Sequence, residues 1–117
     1  MVRALTEDEV EFAIDCVPED IPIQGNASAV DEETDAQVEK EIRDQIAHGN
    51  EWAWCVVRLT ARWAGYEGYD YLGGCSYGSE EQFKNPDGYY PDMKARALED
   101  LNEIVAAHAR NLEPLLV

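Results

Sequence analysis

Three cysteines, two histidines and 25 carboxylates are the side chains of this 117-residue chain with the clearest capacity for chemistry. Nucleophilic catalysis needs an activated nucleophile with a base in reach. His48 falls at the end of a helical pattern, where it favours the helix C-terminus. His108 falls on the apolar stripe of another helix and reads as a half-buried core residue. Cys16, Cys55 and Cys75 are odd in number, include no C-x-x-C pair and are too sparse for a disulfide framework or a zinc site. They read as small core side chains in a reducing compartment. Asp31-Glu32-Glu33-x-Asp35 could collect a hard cation, but it lacks the glycine and terminal glutamate of a calcium loop. Gly73-Gly74 and Gly65-x-x-Gly68 have neither the lysine nor the helix placement of a phosphate loop. Carboxylate pairs for acid–base work mean little in a chain that offers so many. The expectation is a non-enzymatic protein with no cofactor and no metal.

What remains is the acid itself. With 25 acids against 9 bases the formal charge is −16, and the first 50 residues carry −11 of it. Such a surface repels nucleic acid and anionic membrane and attracts basic protein surfaces. Asp31, Glu32, Glu33, Asp35, Glu39, Glu41 and Asp44 fall within one helical pattern. At the helical rise they span roughly 20 Å, about one charge per 3 Å, close to the phosphate spacing along one strand of B-DNA. Lys40 and Arg43 dilute that helix, while Glu7, Asp8, Glu9, Glu11, Asp15, Glu19 and Asp20 lie in the same half of the chain. If the two segments adjoin, they form one contiguous field, and the seven acids of the helical pattern with Glu7, Asp8, Glu9 and Glu11 are the expected partner-binding surface.

The elements that must position these groups are legible in hydrophobic spacing. Val10, Phe12, Ile14 and Cys16 alternate with polar residues, the pattern of a half-buried strand over about residues 10–17, although Thr6 and Glu9 also fit a helical capping box. Pro18 and Pro22 end that strand in a loop. Residues 31–48 read as a helix with acids in its first turns, a narrow stripe of Val38, Ile42 and Ile46, and Gly49 as terminator. Residues 52–77 hold all three tryptophans and read as a β-hairpin around Gly65 and Gly68. Its first strand has one apolar face, Ala53 to Trp63 in steps of two, and a second face bearing Trp52, Trp54, Arg58 and Arg62. That second face could stack bases but is expected beneath a helix instead. Gly73-Gly74 signals a bulge, so the sequence leaves open whether Cys55 faces Cys75.

Ser79 reads as the cap of one helical turn, Asn85-Pro86-Asp87-Gly88 as a type I turn, and Pro91 as the first turn of a helix running to about Asn111. That helix is expected to bury Met93, Ala97, Leu101, Ile104, Val105 and His108. The result is one α+β domain over residues 1–117, ordered β-α-β-β-α, a three-stranded sheet with two helices packed on one face. No stretch is apolar enough for a membrane span or a signal peptide, so a cytoplasmic setting is expected. The open sheet edges make a homodimer a natural outcome.

The stretches W-A-W-C-V-V-R-L-T-A-R-W, Y-D-Y-L-G-G-C-S-Y, G-Y-Y-P-D-M and P-E-D-I-P-I-Q-G-N-A resemble those of small, acidic, uncharacterised proteins carried by phages and other mobile elements. The resemblance covers most of the chain. It implies a setting in which acidic proteins inhibit host defence by imitating nucleic acid, as anti-restriction and anti-CRISPR proteins do. The expected partner is a basic host protein or nucleoprotein complex, with no direct contact to nucleic acid. The alternative is a small interaction or accessory domain that uses the aromatic hairpin, exposing Trp52, Trp54 or Tyr71.

Overall fold

The computed structural model describes residues Val2–Leu116. The order is β1 (Glu11–Val17), α1 (Glu32–Ala47), β2 (Cys55–Trp63), β3 (Tyr66–Cys75), α2 (Glu80–Phe83) and α3 (Tyr90–Leu112), with short 3₁₀ turns at Glu7–Glu9, Glu51–Ala53 and Glu113–Leu115. It is an α+β fold around a three-stranded antiparallel sheet in the order β1-β2-β3. Both readings of the first segment are realised in succession. The Thr6–Glu9 capping box closes one 3₁₀ turn, and the strand follows at Glu11.

Each turn has a local cause. Ala64 and Gly65 both take positive φ, 49° and 84°, which joins β2 to β3 through a two-residue hairpin turn. The ladder slips between Cys55 and Val57, opposite the Gly73-Gly74 pair, where Gly74 also has positive φ. Asp31 caps α1 by accepting the Thr34 N–H at 2.7 Å, and Gly49 leaves the helix at φ 92°. Ser79 caps α2, and the Gly88 N–H closes its turn on the Asn85 carbonyl at 3.0 Å.

The register places Phe12, Ile14, Cys16, Val57, Leu59, Ala61, Gly68 and Leu72 on one face of the sheet. Helix α3 covers that face with Met93, Ala97 and Leu101, all essentially without solvent contact, and α2 closes the end of the core with Phe83. Full burial of each large side chain contributes about 1.5–3 kcal/mol. Ile104 and His108, expected in the same stripe, are exposed: Val105 is the position that packs on the core there, and His108 meets the Tyr66 ring and hydroxyl at the surface. Trp63, the last apolar position of β2, is also partly exposed there, stacked on Tyr66 at 6.3 Å.

Helix α1 does not join α3 on the sheet. It meets the 3₁₀ turn before β2 and otherwise stands clear, with only Glu39 and Ile42 buried and Val38 half-buried. Ile46, placed by spacing in the buried stripe, is 42% exposed. The molecule measures 68 × 24 × 23 Å with a radius of gyration of 18.5 Å, against the roughly 13 Å of a compact chain this long. Sheet and α3 are each about 35 Å long, so α1 and its loop extend the long axis as an arm.

Gly68 sets how closely α3 approaches. A Cβ at that position would lie 2.3 Å from the Leu101 nitrogen and 2.6 Å from the Ala97 carbonyl oxygen, both backbone atoms that a rotamer change cannot move. Gly68→Ala is therefore expected to lower unfolding free energy by about 1–3 kcal/mol or more in urea denaturation. Gly88→Ala, whose Cβ would meet nothing nearer than 3.5 Å, should leave the midpoint nearly unchanged.

Candidate functional site

The arm, residues 18–48, carries nine carboxylates and two cations, −7 of the total −16 in about a quarter of the chain. Its anchor is partly polar. Glu39 is turned inward at 9% exposure, where its Oε1 accepts the Gly25 N–H at 3.0 Å and holds the preceding loop against the helix. The Trp54 indole N–H donates to the Ile21 carbonyl at 2.9 Å and pins the same loop to the start of β2. Glu19 accepts the Gly74 N–H at 2.5 Å and the Ile21 N–H at 3.0 Å, bonds that hold its carboxyl below the usual range.

Several acids of α1 are thus structural. Asp31 is the N-cap, held below its usual range by the Thr34 N–H, and Asp35 accepts the Val30 N–H at 3.0 Å. Asp44 is paired with Lys40 at 2.7 Å, which lowers its affinity for a proton. Glu32, Glu33 and Glu41 are exposed and form no salt bridge among the described residues. Glu33, Gln37, Lys40, Glu41 and Asp44 share the outer face by helical spacing, opposite Val38 and Ile42.

The remaining expected site residues lie elsewhere. Glu11 opposes Arg62 next to the hairpin turn, whereas α1 meets the sheet beyond Val17, so the length of β1, roughly 20 Å, separates the two acidic segments. Glu9 is engaged by Arg3, with the second carboxylate contact at 2.7 Å, and Glu7 lies 3.8 Å from Lys94. Asp8 accepts the Thr6 hydroxyl at 2.7 Å. The structure therefore brings together Asp31, Glu32, Glu33, Asp35, Glu39, Glu41 and Asp44. It sets Glu7, Asp8, Glu9 and Glu11 in a second, partly neutralised cluster. Asp20, exposed in the loop after β1 at the root of the arm, joins the first group.

The sheet face opposite α3 is open, contrary to the expectation of a covering helix. It carries Asp15, Arg58, Thr60, Arg62, Glu67, Tyr69 and Tyr71. Arg58 grips Asp15 through two bonds, at 3.1 and 2.6 Å, and Arg62 donates to Glu67 at 2.7 Å. Tyr69 and Tyr71 stack at 6.1 Å, with Tyr71 56% exposed. The tryptophans serve packing instead. Trp52 lies against Phe83, and Trp54 lies under the arm loop.

Cys55 and Cys75 do face each other in register, and Cys16 is close enough to Cys55 for the two thiols to influence one another. Burial raises the pKa of all three, Cys75 to about 11, so each thiol stays protonated at neutral pH. His48 donates from Nδ1 to the Asp44 carbonyl at 2.6 Å, the helix-terminal role expected of it. The His108 Nδ1 lies 2.9 Å from the Tyr66 hydroxyl on the surface. Among the described residues no group of three or more His, Cys, Asp or Glu side chains is placed to hold a metal ion. No helix among them is long and apolar enough to cross a membrane.

Comparison with known protein families, with curated proteins and with solved structures finds no match for this chain.

One acid of the second cluster titrates unusually. The Arg3 guanidinium and the Thr6 backbone hold the Glu9 carboxyl down at about 2, from an ordinary value of 4.5. A depressed folded-state pKa contributes stability above the ordinary value and loses it as pH falls through the folded one. The N-terminal turn should therefore loosen between about pH 4.5 and pH 2, read as loss of protection of the Thr6 amide by NMR. Glu9→Gln should abolish that acid limb.

Proposed function

We propose that this protein is a non-enzymatic acidic inhibitor that imitates nucleic acid and occupies a basic DNA- or RNA-binding groove on a host-defence protein, in the manner of anti-restriction or anti-CRISPR proteins. The observation that carries the reading is the arm: a helix exposed over most of its surface, projecting from the sheet, with more carboxylate than its own cations can neutralise. Six of the seven cations outside the arm are already in salt bridges, with Glu7, Glu9, Asp15, Glu67, Asp70 and Glu80. The surplus charge thus stays unneutralised along a rod 68 Å long, on average one net charge per about 4 Å, near the spacing of phosphates on a single strand. Pairing these carboxylates with a cationic groove would release counterions from both surfaces, so affinity should fall steeply with salt.

The test is binding and inhibition by the triple variant Glu32→Gln, Glu33→Gln, Glu41→Gln. Glu32 and Glu33 are exposed and outside the arm's hydrogen bonds, and exposed Glu41 accepts only the Gln37 side-chain amide at 3.0 Å, a bond a glutamine can also accept, so the fold should persist by circular dichroism. Binding to a basic nuclease or surveillance complex should weaken by an order of magnitude or more at low salt, and nucleic acid should compete with the parent protein. Undiminished inhibition by the triple variant would refute the proposal.

A second reading is supported by the uncovered sheet face, on which Tyr71 stands exposed beside the Arg58–Asp15 pair. An accessory domain that docks through this face would bind with little salt dependence, and Tyr71→Ala rather than the triple variant would disrupt it.

A further inference from the structure

Helix α3 carries two apolar seams. The first, Met93, Ala97 and Leu101, faces the sheet. The second, Leu98, Asn102, Val105, Ala109 and Leu112, recurs at alternating steps of four and three residues, the spacing of a helix-pairing seam, and Leu116 follows beyond the helix end after the Glu113–Leu115 turn. Its upstream half is the floor of a groove of about 510 Å³ between α3 and the N-terminal segment, walled by Val2 and Ala4. Asn102 fixes that wall by exchanging two hydrogen bonds with the Leu5 backbone, at 2.8 and 3.1 Å. The downstream half has no cover. Leu112, Leu115 and Leu116 are 42%, 74% and 72% exposed, an apolar cluster at the tip of the molecule.

The tail of a chain cannot fill its own groove. Asn102 and Leu112 belong to one continuous helix and are held about 15 Å apart along its axis. We propose that the groove is filled by the tail of a second copy, in a two-fold antiparallel pairing of the C-terminal halves of α3. In that arrangement Leu112 of each copy meets Asn102 of the other, Ala109 meets Val105, and the tail beyond the helix, with Leu115 and Leu116, extends toward the Leu98 end of the groove. The alanines at 106 and 109 let the helix axes come close.

Charge favours this occupant. Arg110 is exposed, Glu99 and Glu103 are exposed acids that border the groove with Arg3, and none of Arg110, Glu99 and Glu103 forms a salt bridge among the described residues. The antiparallel register brings Arg110 of each copy to Glu103 of the other, twice by symmetry. Residues 104–116 hold only Arg110 and Glu113, net zero, in a chain of −16. Because α3 runs antiparallel to β3, this neutral tip lies at the far end from the acidic arm, and pairing there keeps the two arms apart. Pairing through the β3 edge is obstructed, since Asp100 accepts the Tyr69 N–H at 2.8 Å and Glu19 accepts that of Gly74.

The test is sedimentation equilibrium of the full chain over a rising concentration series, with far-UV circular dichroism to confirm folding. The parent should form a dimer, and Leu112→Asp with Leu116→Asp should remain monomeric over the same range. Arg110→Glu, a fully surface change, should also lose the dimer, and adding Glu103→Arg should restore it. A parent that stays monomeric overturns the proposal, whether or not another protein or an apolar peptide binds the groove. A dimer that survives the paired leucine changes, or a charge exchange that fails to restore association, also overturns it. Neither outcome bears on inhibition, which is read separately.

Discussion

The contact between α3 and the β2–β3 hairpin is the constraint on which the other features depend. It is closest at Gly68, where a strand residue without a side chain lets the backbone of α3 settle onto β3. Around that point Val57, Leu59, Ala61, Ala97 and Leu101 reach complete burial. A three-stranded sheet has one face for such a partner, and α3 takes it. The second face then has only polar business, and the register supplies it: Asp15 opposite Arg58, Arg62 opposite Glu67, and a pair of tyrosines. With the apolar face filled, α1 has no sheet to lie on. It is met instead by the 3₁₀ turn before β2 and tied to its preceding loop through the Gly25–Glu39 bond, so the helix stands out as an arm.

The carboxylates divide accordingly. Many are acceptors for backbone N–H groups that the fold would otherwise leave without a partner: Asp31 and Asp35 at the start of α1, Glu39 under the loop, Glu19 and Asp100 along the edge of β3. Leaving such a donor unpaired costs about 1–3 kcal/mol when it is buried, so an acid in that position is a structural part first and a charge second. This explains why counting carboxylates along the sequence overstates the surface available to a partner. Glu39, in the middle of the densest run, is the clearest case.

Local chemistry made most of the elements readable before any coordinates. Alternation in residues 10–17, the Asp31 cap, Gly49, the Asn85–Gly88 turn and Pro91 each act within a few residues, and each does what its side chain dictates. What escaped the sequence depends on which surface another element claims. Val38, Ile42 and Ile46 make an ordinary buried seam, and nothing local says that a 3₁₀ turn rather than a sheet will meet it, or that Ile46 will lie beyond the cover. His108 and Ile104 continue the spacing of Leu101, yet the core contact passes to Val105 and leaves both at the surface. Gly68 looked like part of a turn, and its use as a contact surface is visible only once α3 is in place. For the candidate site, helical spacing places Glu32, Glu33, Asp35, Glu39, Glu41 and Asp44 together on α1, with Asp31 as its cap. Their separation from Glu7–Glu11 follows from strand direction, which composition does not encode.

The arm's charge and its folding are linked. A 16-residue helix is marginal by itself in water, and α1 gains little from packing, with Ile42 its one buried apolar residue. Asp31 and Asp35, and again Asp35 and Glu39, are like charges four residues apart, each pair costing a few tenths of a kcal/mol, and the opposite charges at that spacing are Lys40–Asp44, which forms a salt bridge, and Glu39–Arg43. Counter-charge arriving from outside relieves that repulsion and leaves the capping bonds untouched. A cationic surface would therefore bind α1 and steady it in the same step, and salt would weaken the attraction while relaxing the helix's own strain. An arm held by one leucine-sized contact and a buried glutamate is suited to that exchange, because its free energy of ordering is small enough for a few ion pairs to shift.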